Sequence, residues 1–184
     1  EDGIRDSVAS RGLGDVYKRQ VYWLARLIEG GEDVKFIARR LIISAAEDIG
    51  FANPTALVMA NNCFDALQKI GWPEGRIVLS QCAIYLALSP KSNSAYLAIN
   101  KAQSIVREKG DSSIPLSLRN APTKLMEELD YGKDYLYSHD NLDKLHLQEF
   151  LPDEIKGTSI YKPKQNKKES EYGKLIQKIW KGKY

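Results

Sequence analysis

The residues of this 184-residue chain best suited to site chemistry are His139 and His146, Cys63 and Cys82, and the adjacent acids Glu47 and Asp48. Their spacing argues against each role. A zinc site draws its ligands from pairs of Cys or His held a few residues apart, whereas the two histidines stand seven apart with no cysteine near either. Both cysteines lie inside apolar helical patterns, as reduced core thiols do, and no base adjacent in sequence would turn one into a thiolate nucleophile. Neighbouring carboxylates on a helix point about 100° apart and do not converge on a substrate, so Glu47 and Asp48 read as surface or capping groups. A phosphate cradle needs glycines at fixed spacing ahead of a Lys and a Ser or Thr; the Gly30-Gly31 pair follows a helical pattern instead of a strand. The residues therefore assign no catalytic, metal-binding or cofactor-binding position.

Charge and aromatic spacing leave one binding reading open. From Lys156 onward there are nine lysines against two glutamates, a local net charge of +7 within a total of +3. Such a tail attracts polyanions, although a solvated terminus is the commoner outcome. Tyr131, Lys133, Tyr135, Tyr137 and His139 fall on alternate positions, which predicts an extended ribbon whose rings could stack on single-stranded bases or simply pack half-buried. Trp23, Trp72 and Trp180 sit beside aliphatic residues or turns and read as packing groups. A free-standing basic nucleic-acid module, built from the lysine tail and the tyrosine ribbon, is the alternative reading.

The elements that would position these groups are helices. Val21 to Ile28 is dense in apolar residues and stops at Gly30-Gly31, a C-terminal signal. Asp33 then caps a helix with Val34, Ile37, Ala38, Leu41, Ile42 and Ala45 on one face, ended by Gly50. Asn53-Pro54 predicts a cap and first position for a third helix, with Leu57, Ala60, Cys63, Phe64, Leu67 and Ile70 inward. A fourth runs from about Pro73 to Leu88. Its second half is apolar all round, which suits a central helix or one shared with another subunit; Ile77, Ile84, Tyr85 and Leu88 are the candidate interface residues. Ser92 or Asn93 caps a fifth, with Tyr96, Ile99, Ala102 and Val106 inward. Thr123 caps a short helix to Leu129, and Lys174 to Trp180 forms a terminal one after a linker over Lys162 to Ser170. No apolar run approaches the roughly 18 residues of a membrane span, and the thiols and polar beginning favour the cytoplasm.

The expected class is all-α, a helical array of about five core helices with a loop-rich C-terminal extension. Residues 1–20 read as a flexible, non-native leader, 21–110 as the helical core, 111–161 as an extension packed on it, and 162–184 as a basic linker and terminal helix.

Three segments, Ala45 to Pro54 (AAEDIGFANP), Ser89 to Tyr96 (SPKSNSAY) and Leu118 to Met126 (LRNAPTKLM), together with Tyr22 to Arg26 and Leu151 to Glu154, resemble the C-terminal region of the replication-associated recombination protein A family. That family is also called MgsA or RarA and includes the Werner-helicase-interacting protein. The resemblance implies a clamp-loader-related AAA+ ATPase acting at stalled or damaged replication forks, in which this region, collar-like in fold, joins subunits into a homotetramer. It implies that ATP and magnesium bind an N-terminal module for which these residues offer no matching position, and that DNA and replication-fork proteins are partners through the parent protein. It also raises Lys91, Arg119 and Lys124, within the matching motifs, as contacts to DNA phosphates or to the ATPase module. Against that, Pro90, Asn93, Asn120, Pro122 and Thr123 suit turns and caps, and the motifs then serve the fold alone.

Overall fold

Asp33 begins a helix as its sequence position demands: its carboxylate oxygens accept from the amides of Lys35 at 3.0 Å and Phe36 at 3.2 Å, satisfying donors that the helix leaves open. In the computed structural model, which describes residues 16–141 and 143–183, and the side chains of 16–18 excepted, that helix is the second of seven. They are α1 (Val16–Glu29), α2 (Val34–Ser44), α3 (Thr55–Ile70), α4 (Gly75–Leu88), α5 (Ser94–Lys109), α6 (Lys124–Glu128) and α7 (Lys167–Trp180). No strand occurs among the described residues, and the fold is all-α. The expectation of a leader falls, for residues 1–15, outside the described residues. Helix α1 starts at Val16, five residues before the apolar run, because Arg19 and Gln20 are good helix formers that extend it without needing burial.

The chain divides into two units, one reaching to Tyr96 and including Lys164–Glu169, the other comprising Leu97–Pro163 and Ser170–Tyr184. In the first, α4 packs against α1, α2 and α3, as expected of a central helix. Leu24, Ile37, Leu41, Ile49, Leu67, Leu79 and Leu86 form its core, with Cys63 and Cys82 among them. Burying each large aliphatic side chain contributes about 1.5–3 kcal/mol. Helix α1 closes through Gly31, at φ +81°: the Glu32 amide reaches the Leu27 carbonyl at 3.1 Å and the Gly31 amide reaches Ile28 at 3.0 Å, the paired bonds of a glycine C-cap.

After Ser44 the second helix widens into a π turn over Ala45–Ile49 and then a 3-10 turn, Gly50–Ala52. Asn53 does not cap α3 with its side chain, contrary to expectation. Its amide nitrogen donates instead to the Tyr85 hydroxyl at 3.1 Å and the Ser89 hydroxyl at 3.0 Å, and this bridge to the end of α4 takes the place of the cap. Leu57 and Ile70, expected inward on α3, are exposed, as are Tyr96, Ile99 and Val106 on α5. The apolar spacing is present in each helix, but on α3 only part of the stripe is buried, and on α5 the one buried residue is Ser94.

The second unit is loop-rich. Thr123 Oγ1 accepts from the Met126 amide at 3.4 Å and caps α6, as expected. Tyr131 to His139 is not an extended ribbon. It runs through turns, with Asp130 and Asp134 at positive φ and no ladder partner, so alternation in the sequence here reflects no pleat. At the end, Trp180 meets Phe150 edge to face with ring centres 5.6 Å apart. That helix begins at Lys167, seven residues before its expected start. Asn166 caps it, its side-chain oxygen accepting from the Glu169 amide at 3.0 Å while its nitrogen donates to the Glu169 carboxylate. Glu169 is fully buried and also accepts from the Ser94 hydroxyl, which ties the starts of α5 and α7 together within the first unit.

Candidate assembly surface and basic residues

Three of the four candidate interface residues share one stripe of α4. Ile84 follows Ile77 by seven residues and Leu88 by eleven, each nearly a whole number of turns, so all three point the same way. Ile77 is 61% exposed and Leu88 65%, unusual values for large aliphatic side chains on a helix otherwise central to a core. Tyr85 lies about 80° around the helix from Ile77, packs against the core and has its hydroxyl engaged by Asn53. It belongs to the interior side of α4.

Beside this stripe, α1 and α4 leave an open apolar groove of about 620 Å³. Its walls include Val21, Leu24 and Ile28 from α1, and Ile77 and Ile84 from α4, with Trp72 at the approach to α4. Glu29 and Arg76 stand at the rim. Sequence reading singled out the α4 wall but missed the α1 wall and the two charges. The signal was available, since Val21, Leu24 and Ile28 repeat at three and four residues, but sequence alone did not say which partner they face.

The three basic candidates do not form one cluster within either unit. Lys91 belongs to the first and Arg119 and Lys124 to the second. The Lys91 ammonium folds back onto the Leu86 carbonyl at 2.7 Å, at the C-terminus of α4, where a cation complements the helix dipole. Burial there lowers its pKa, and the nearby Asp48 carboxylate partly opposes the shift. Arg119 donates through Nε to the Ile114 carbonyl at 2.8 Å and through Nη1 to the Tyr131 hydroxyl at 3.1 Å, with its guanidinium 5.1 Å from the Tyr131 ring centre. Both side chains hold their own loops. Lys124 opens α6 and is exposed.

The other motif residues converge in the first unit. The Ser92 amide donates to the Asp48 carbonyl at 2.7 Å, the Ser44 hydroxyl donates to the Asp48 carboxylate at 2.8 Å, and Ser92 Oγ accepts from the Ser94 amide at 3.3 Å. Gly50 is needed between them: at φ +46° and ψ −129°, a Cβ there would lie 2.9 Å from the Ser92 carbonyl oxygen. Among the described residues, no three His, Cys, Asp or Glu side chains converge as metal ligands, and no helix is long and apolar enough to cross a membrane.

Residues 18–180 match the family described as MgsA AAA+ ATPase C terminal. The chain belongs to that family. Proteins named Replication-associated recombination protein A are similar to it: that of Bacillus subtilis is 43% identical, covering 100% of this chain and 42% of its own length. The Escherichia coli K12 protein is 40% identical over 85% of this chain and 35% of its own length. The Coxiella burnetii protein is 38% identical over 89% of this chain and 42% of its own. The chain thus spans about two fifths of the length of these relatives. The π turn of the Ala45–Pro54 segment, the Ser89–Tyr96 segment and the Arg119 loop all fall inside the stretch matched to the MgsA C-terminal family.

Proposed function

We propose that this chain is the assembly region of an AAA+ ATPase of replication-associated recombination, and that it joins copies into a homotetramer so that nucleotide-hydrolysing modules work as a set. ATP and magnesium belong, in this reading, to a module outside these residues. DNA and replication-fork proteins are then partners of the whole ATPase, in the cytoplasm. The observation that carries the reading is the Ile77–Ile84–Leu88 stripe, in which Ile77 and Leu88 are exposed and Ile84 half-buried between them on the helix that organises the core.

A contact of ordinary size removes about 800 Å² from water on each partner. Lys91 and Arg119 bond within their own segments, and Lys124, exposed at the start of α6, is the phosphate-contact candidate that remains. The test is the combined substitution Ile77→Asp and Leu88→Asp. Because both side chains are already exposed, the expected result is unchanged helical circular dichroism with sedimentation as a single chain. Wild-type assembly by that variant contradicts the role of the stripe.

A further inference from the structure

Glu29 and Arg76 sit where local electrostatics disfavours them. Glu29 is the last residue of α1, at the negative end of that helix dipole, and Arg76 is the second residue of α4, at the positive end. Both are exposed, both line the α1–α4 groove, and among the described residues neither side chain makes a hydrogen bond or ion pair. A groove with one apolar wall from each helix and one charge of each sign on its rim is complementary to itself.

The geometry points to a two-fold contact between copies of this chain, in which the α4 wall of one lies over the α1 wall of the other and Arg76 of each pairs with Glu29 of its mate. This rests on the assembly reading above and deepens it, naming the surface and the symmetry. Isologous contacts place every residue pair twice, so the two ion pairs form together and flank a centre made by Ile28, Trp72, Ile77 and Ile84. The apolar centre supplies the affinity and the charges fix the register. A tetramer of dihedral symmetry uses such a two-fold for one of its interfaces.

Charge reversal provides the test on the full 184-residue chain. Arg76→Glu alone sets like charges opposite each other at both pairs, and so does Glu29→Arg alone; each is expected to weaken this contact at least tenfold in sedimentation equilibrium. An equimolar mixture of the two variants restores opposite charges at both pairs and is expected to recover the wild-type mass. Each reversal also corrects a helix-dipole mismatch, so neither is expected to lower the melting temperature of the dissociated chain, which separates a lost contact from a damaged fold. If the wild type assembles and either single variant assembles equally well, or the mixture fails to recover, the two-fold pairing is wrong while assembly stands. A wild type that stays a single chain removes both.

Discussion

The amide of Ser92 donates to the carbonyl of Asp48 at 2.7 Å, and this one bond joins the π turn after α2 to the loop between α4 and α5. Two sequence motifs distant along the chain thereby become one structural joint. Asn53 strengthens it through Tyr85 and Ser89, and Lys91 closes the neighbouring helix end.

Gly50 is the residue on which this joint turns. Its backbone lies where only glycine rests without strain, and a Cβ would press on the Ser92 carbonyl. Gly50→Ala is expected to destabilise the chain by about 1–3 kcal/mol. Gly110→Ala serves as control: φ there is +69°, but the space is open, and a smaller loss is expected. Thermal melts of the two variants check this, and equal losses contradict the close approach to Ser92.

The Lys91 ammonium has a pKa lowered mainly by desolvation and partly held up by Asp48. In the window between that lowered value and the ordinary lysine value of about 10.4, the unfolded chain binds more protons than the folded one, so Lys91 makes stability rise with pH there. Lys91→Met removes this contribution to the slope. Asp48→Asn takes away the stabilising charge and is expected to lower the Lys91 pKa further, as read by nuclear magnetic resonance of the side-chain nitrogen. An unchanged or higher midpoint contradicts the arrangement.

Cys63 and Cys82 are both buried, and the Cys63 thiol lies 3.5 Å from the Val78 carbonyl. The neighbouring Cys63 thiol, together with burial, pushes the Cys82 pKa up. Alkylation at neutral pH is expected to be slower in the native chain than in denaturant by on the order of a hundredfold or more, because it waits on opening of the core. Rapid native labelling of either thiol contradicts their burial between α3 and α4.

Much of this was legible in the sequence where local chemistry decides. Asp33 and Thr123 cap helices because their side chains satisfy amides two or three residues ahead, whatever surrounds them, and Gly31 ends α1 because only its φ is suited to the turn. The all-α class and the centrality of α4 followed from apolar spacing. What escaped depended on distant partners. Asn53 has the composition of a cap, yet Tyr85 and Ser89 claim its amide; Tyr131 to Tyr137 alternate as a strand does, yet have no neighbouring strand and instead place Tyr131 against Arg119. The early start of α7 was readable, since Asn166 and Glu169 have capping-box spacing, but the surrounding lysines read as linker. For the candidate surface, spacing gave the α4 stripe, and only the packed structure set the α1 wall, Glu29 and Arg76 beside it.

Light scattering on the purified wild-type chain across micromolar to near-millimolar concentration measures the assembly role most directly. The expected mass is four times 20.8 kDa, falling only on dilution. A constant 20.8 kDa throughout that range contradicts it.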